Sequence, residues 1–316
     1  MADLKKMETK YKGIFTKLKK VSPKVKTNTL YVYLRNLDRL HKLNNEGDLP
    51  SSGEWLKNKQ LLEKFDKLNL SRRRLLSVAA VKGAKAYGIV LPNWTERLSK
   101  ASDAYEKLRL KRRITAKEKS KWPKDGLQSL LKAAKEEQRL VKKVMKKNNK
   151  KLKDLLTIQR ALVLLMYAHH PLRLDFADMN VKPPEKDKQE NFLFKKPREG
   201  WTILLRRYKT FKSKGELKIK IKRSVSVFLT KFVPILQELT THGKLLTNNR
   251  GDALSRNGLS KLLQKLTAQH FDKGFSTQLI RVLFATQHSS EIMKAKELTD
   301  ELQHSLAQSV RYTRST

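Results

Sequence analysis

Cysteine is absent from all 316 residues. Disulfides and cysteine-ligated zinc are therefore excluded. The seven histidines do not fill the gap, because none stands in a His-Glu-x-x-His or similar ligand spacing, so no metal or cofactor is expected. Long apolar runs are missing too. The opening MADLKKMETKYKG holds nothing of signal-peptide length. The most apolar stretch, Leu155 to Tyr167, is interrupted by Gln159 and Arg160 and falls short of a bilayer span. A soluble, intracellular protein without membrane attachment is expected. Acidic residues are scarce: 30 Asp and Glu face 71 Lys and Arg, a formal net charge of +41. A charge of that size repels itself in a compact chain until a polyanion neutralises it, and nucleic acid is the commonest such partner. A ribosomal, RNA-packaging or membrane-surface protein is compatible with the charge alone. Hydrophobic residues still make up 39%, enough for a packed core, so a disordered basic tail is excluded.

Local patterning divides the chain. Residues 1–25 are Lys-rich and read as a solvated basic arm. Residues 26–112 read as a compact module of four short helices. Thr27 or Thr29 is placed to cap the first, which carries Leu30, Tyr33, Leu34, Leu37 and Leu40 at spacings of three and four. Trp55 to Leu68 is the second, an Ala/Val-rich segment after Ser71 the third, and Trp94 to about Leu110 the fourth. The charged segment 111–123 reads as a connector, with residues 113–123 as the interdomain linker, ending at Pro123. Residues 124–316 read as mixed. A Lys-rich helix precedes the buried-type helix at Leu155 to Ala168, and Trp201 to Tyr208 pairs with Glu216 to Lys222. In the second strand Leu217, Ile219 and Ile221 alternate with lysines, the period-two pattern of a half-buried strand. The fold class expected is mainly α with one small antiparallel sheet.

Five places in the second half hold groups suited to chemistry. Tyr167-Ala-His-His-Pro-Leu-Arg173-Leu-Asp175 ends a helix in a Pro-marked turn. Tyr208-Lys209-Thr210 opens the basic hairpin. Ser276 or Thr277 caps a helix that carries Gln278 and Arg281. Gln303-His304-Ser305 and Arg311-Tyr312-Thr313 lie near the end. Each has a bland reading: a surface arginine, a solvated lysine, a helix-end histidine, a frayed aromatic.

Taken in order, Arg173, Lys209, Arg281, His304 and Tyr312 resemble the layout of the tyrosine recombinases over most of the chain. The Pro-Leu-Arg-Leu-Asp turn and Tyr-Lys-Thr-x-Lys hairpin resemble integrases of large eukaryotic DNA viruses and related mobile elements. The resemblance implies a two-domain clamp on double-stranded DNA: residues 26–112 as the core-binding domain, 124–316 as the catalytic domain, and four copies assembled on DNA. It also implies roles. Arg173 and Arg281 would clamp the non-bridging oxygens of a phosphorane, making a metal unnecessary. Tyr312 would be the nucleophile, Lys209 the acid for the departing 5′-hydroxyl, and His304 a phosphate contact. Asp175 or Asp178 would be the acidic accessory, and spacing leaves both open. The chain departs from the family pattern at Gln278, where His is usual, at Gln303, where Gly is usual, and in the eight-residue step from His304 to Tyr312. In a competing arrangement Gln278 points into the helix core and Thr277 faces the DNA. The alternatives are a type IB topoisomerase, which shares the chemistry, and a catalytically inactive DNA-binding protein of the same fold.

Overall fold

The computed structural model describes residues 2–301 apart from 46, 112 and 187, with the backbone alone for 2–5, 298, 300 and 301. It divides into two units, residues 1–114 and 115–316. The first is all helical: α1 (Ala2–Lys10), α2 (Lys12–Val21), α3 (Thr27–His41), α4 (Lys59–Asp66), α5 (Leu70–Tyr87) and α6 (Pro92–Leu110). Residues 1–25, expected as a solvated arm, contribute α1 and α2. The reason is visible in the spacing of Tyr11, Ile14, Phe15 and Leu18, which puts four apolar side chains on one helical face. All four are buried, and Phe15 stacks on Tyr31 at 5.0 Å. Tyr11 also donates its hydroxyl to Asp38 at 2.8 Å.

The helix starts differ from expectation. Lys26 holds the N-cap position of α3, and neither Thr27 nor Thr29 caps it. Asparagines do the work elsewhere. Asn58 accepts from the Leu61 amide at 3.2 Å and Asn69 from the Arg72 amide at 3.0 Å, so Ser71 lies inside α5. A Cβ on Gly83 would stand 2.6 Å from Leu37 Cδ2, so α5 approaches α3 through its small-residue face of Ala79, Ala80 and Gly83.

The second unit holds α7 (Ala116–Lys119), α8 (Leu127–Met145), α9 (Leu152–His169), β1 (Met179–Val181), β2 (Asn191–Lys196), β3 (Gly200–Leu205), α10 (Phe211–Lys214), β4 (Leu217–Lys220), α11 (Arg223–Leu239), α12 (Arg256–Phe271), α13 (Thr277–Gln287) and α14 (Ser289–Glu301). Part of the expected linker belongs here. Thr115 and Glu118 form a reciprocal capping box on α7, and Trp122 packs on the core. The sheet runs in the order β1-β2-β3-β4 and is mixed, not antiparallel: β1 pairs parallel with β2, and the other pairs are antiparallel. The expected strand pair is β3 and β4. Strand β1 is only three residues long, too short to show alternation. Its other edge is covered by the 243–245 segment: Val181 donates to the Gly243 carbonyl, and Leu245 to that of Met179, both at 2.9 Å. Strand β4 is an edge, with Leu217 40% exposed.

Helix α9 is the centre of this unit. It is buried continuously from Ala161 to Ala168 and packs against α8, α11, α12 and α13. Its buried Gln159 is satisfied at both ends, donating to the Thr247 carbonyl at 3.0 Å and accepting from the Thr247 amide at 2.7 Å. Among the described residues no helix is long and apolar enough to cross a membrane.

Candidate active site

The end of α9 determines where the first candidate residue stands. Tyr167 is fully buried, and its hydroxyl donates to the Arg173 carbonyl at 2.7 Å, closing the turn that follows. Its ring meets Phe176 edge-on at 5.2 Å. Burial raises the Tyr167 pKa, the Asp175 charge adds to the rise, and Arg256 opposes it. The turn is tied on its other side by His170, whose Nε2 accepts from the Lys222 amide at 3.2 Å. An accepting Nε2 is unprotonated, so this ring is neutral with its proton on Nδ1. Burial, then the charges of His169 and Lys222, lower the His170 pKa to about 4.

A single 3-10 turn, Asp175–Asp178, then presents two carboxylates. Both are taken by Arg256, the first residue of α12. Its Nη2 lies 3.1 Å from Asp175 and its Nη1 donates to Asp178 at 2.5 Å. Burial works against the Arg256 charge, but Asp178 and Asp175 outweigh it and raise the pKa. Arg256 thus holds both carboxylates, and Asp175 is the more buried of the two, 3% exposed.

Arg281 reaches the same neighbourhood from α13. That helix starts at Ser276, whose hydroxyl accepts from the Leu279 amide at 3.2 Å, so Ser276 and not Thr277 is the cap. The preceding Phe275 is pinned by its amide to Thr267 Oγ1 at 2.7 Å and by stacking on Phe271 at 4.9 Å. Arg281 is half-buried. Burial lowers its pKa, the like charge of Arg173 lowers it further, and Asp175 opposes both. Arg173 and Asp175 thus lie close enough for their charges to act on Arg281. Among the described residues the Arg173 and Arg281 side chains make no hydrogen bond or ion pair with protein. Two half-buried guanidiniums with unused donors form a site for an oxyanion, and their fork geometry suits phosphate.

The remaining candidates are placed differently. Lys209 is exposed, just beyond β3, and the structure brings it into no contact with the arginines. Its hairpin is fastened at both ends. Buried Asn191 accepts from the Arg206 and Arg207 amides at 3.1 and 2.9 Å, and the Tyr208 hydroxyl donates to Gly215 at 2.8 Å. Gln278 is exposed one turn before Arg281, whereas Thr277 is half-buried, so the arrangement with Gln278 in the helix core is not the one found. His304 and Tyr312 lie outside the described residues.

Arg256 escaped the sequence reading. It is one of 71 basic residues, and its partners Asp175 and Asp178 stand 81 and 78 positions away, so no local signal marks it. Tyr167 was visible only as the aromatic end of a buried helix. Among the described residues no group of three His, Asp or Glu side chains is placed to hold a metal ion. A cavity of about 610 Å³ is lined by Lys153, Arg160, Arg250 and Lys265 among others and shares no residue with the arginine cluster.

No protein-family model matches the sequence, and no curated protein does. Among solved structures the chain is similar to a XerA recombinase, at 12% identity and a TM-score of 0.37, over 96% of this chain and 94% of that one. It is also similar to a XerH site-specific recombinase bound to its difH substrate in a pre-cleavage complex. There the identity is 16% and the TM-score 0.38, over 96% of this chain and 91% of that one. Likeness at that level assigns neither fold nor activity to this chain, and the chemistry rests on its own side chains.

Proposed function

We propose that this chain is a site-specific DNA strand transferase of the tyrosine recombinase type, acting in integration or a related exchange for a virus or mobile element. The observation that carries the reading is the pair of half-buried, unpartnered guanidiniums, Arg173 and Arg281, gathered around the buried Asp175. Together with Arg256 and Asp178 they make three positive charges against two negative, a cluster with one net positive charge before DNA arrives. A phosphodiester entering it meets up to ten N–H donors. As the tetrahedral phosphate becomes a phosphorane, the added negative charge is stabilised by donors already in place.

In this mechanism the Tyr312 hydroxyl, helped by His304, gives up its proton as its oxygen forms a bond to phosphorus and the bond to the 5′-oxygen breaks. Lys209 delivers a proton to that oxygen, and the 3′-phosphotyrosyl ester keeps the bond energy. A 5′-hydroxyl of the partner strand then attacks, the ester breaks, and the phenol recovers its proton. His304 contacts the phosphate. Residues 26–112, with α1 and α2 packed on them, serve as the DNA-gripping helical domain, and 124–316, with Trp122 packed on their core, as the catalytic domain. Four copies assemble on two duplexes, and the +41 charge supplies phosphate contacts without base readout.

The test is a nicked suicide duplex drawn from the neighbouring genome. The wild-type chain should form a covalent protein–DNA adduct, and Tyr312→Phe should form none while binding DNA almost unchanged. An adduct from the Phe variant removes Tyr312 as nucleophile. Relaxation of supercoiled circles with no recombinant product would assign the same residues to a topoisomerase.

A further inference from the structure

One imidazole outside the assigned residues shares a cavity with Arg281. His169, the last residue of α9, and Arg281, on α13, line one cavity of about 370 Å³. The rest of its wall is mainly apolar, from Leu172, Ile219 and Phe284. The neighbouring His170 is already committed to the Lys222 amide, but His169 makes no hydrogen bond among the described residues. It is half-buried, so its ring is open to a ligand in the cavity. The charged and titratable groups around it are Lys222 at the start of α11, Lys135 from α8, His170 beside it and Arg281 in the same cavity wall. None is anionic. Burial, then Lys222 and Lys135, hold its pKa below the ordinary imidazole value, which keeps the empty site's ring neutral near pH 7.

We infer that His169 is a phosphate-contacting residue. When a phosphodiester seats on Arg281, the ring donates a hydrogen bond to a non-bridging oxygen and takes up a proton from solvent, while the apolar wall receives the adjoining ester group. This rests on the reading that Arg173 and Arg281 clamp a phosphate. The sign follows from linkage: the bound anion raises the His169 pKa, so phosphodiester affinity increases as pH falls through the interval between the free and bound values. The ring shares its cavity with a guanidinium and feels no carboxylate, which leaves the arriving anion as its charged partner.

The experiment uses the full chain with ¹³C-labelled histidine and methyl phenyl phosphate as probe, a phosphodiester with one apolar ring. The His169 resonance is identified by its loss in His169→Gln or, where that variant does not fold, by direct assignment in the wild type. Its pH titration is followed with and without probe. The probe should raise the midpoint by about 1 unit or more, the size an opposite charge within reach produces. The rise should vanish in Arg281→Ala. If Arg281→Ala weakens probe binding but the probe leaves the His169 midpoint of the wild-type chain unmoved, the inference fails and the phosphate clamp stands. If neither Arg173→Ala nor Arg281→Ala changes probe binding, or no binding occurs, the clamp itself is wrong and His169 falls with it.

Discussion

Arg256→Ala removes the one side chain that holds both carboxylates of the 175–178 turn, and its cost follows from exposure. The Asp175 side chain is 4% exposed, that of Asp178 31% and that of Arg256 44%. Breaking a fully buried pair costs about 3–5 kcal/mol, and an exposed pair contributes about 0–1 kcal/mol. A buried carboxylate facing a half-exposed guanidinium lies between, at about 2 kcal/mol. For a unit of this size that lowers the melting temperature by about 4–8 °C. The catalytic consequence is separate. Without Arg256, Asp175 turns its charge on Arg173 and Arg281, occupying donors that would otherwise meet phosphate. Loss of one charged hydrogen bond in the transition state, about 1.5–3 kcal/mol, slows cleavage roughly 10- to 150-fold. The assay is a double-mutant cycle of Arg256→Ala with Asp175→Asn, followed by thermal unfolding and by cleavage of a suicide duplex. Coupling of about 0.5–3 kcal/mol is expected for groups in one network. Strict additivity in both measurements would refute the reasoning, because it would mean that Arg256 does not act through Asp175.

Lys209→Ala should slow cleavage by roughly 10²–10⁴-fold, and a substrate with a 5′-bridging sulfur should recover much of the rate; without that rescue the acid lies elsewhere, Lys212 and Lys214 being next. Gln278→Ala should cost about 1.5–3 kcal/mol of transition-state binding. Gln278→His should stay active and gain a pH dependence between about pH 5 and 8, whereas a wild-type rate in the Ala variant would place position 278 outside the site. His170 makes folding pH-dependent. Its pKa is about 4 in the folded chain, below the ordinary imidazole value, so its contribution is complete above about pH 6.5 and is lost as pH falls towards about 4. Chemical denaturation across that interval should show a smaller decline for His170→Asn than for wild type, and equal slopes would show that the ring is not held neutral.

Several elements were legible in the chain itself, because the forces that set them are local. The Leu155 to Ala168 run has no polar stripe wide enough for solvent, so it had to be a buried helix, and α9 is one. Alternation of Leu217, Ile219 and Ile221 with lysines marked β4, and Ser276 or Thr277 before Arg281 marked the start of α13, with the structure choosing Ser276 as cap. The same logic was present at Tyr11, Ile14, Phe15 and Leu18, but the surrounding lysines outweighed it and the segment read as an arm. Charge balance, the absence of cysteine and the order of Arg173, Lys209 and Arg281 are likewise properties of sequence alone.

What the tertiary structure decided is which distant charges meet. A guanidinium carries no mark of its partner, and Arg256 joins the proposed site only because α12 begins beside the 3-10 turn that follows α9. Tyr167 closes its turn by facing the Arg173 carbonyl, and the role inferred for His169 rests on its sharing a cavity with a residue of α13. The parallel pairing of β1 with β2 also depended on chain path, since three residues hold too little pattern to choose a neighbour. Local sequence determines helix, strand and cap through interactions a few residues long. The electrostatics of a phosphate site are set by groups brought together only when the core closes, because charge acts through space and is indifferent to separation along the chain.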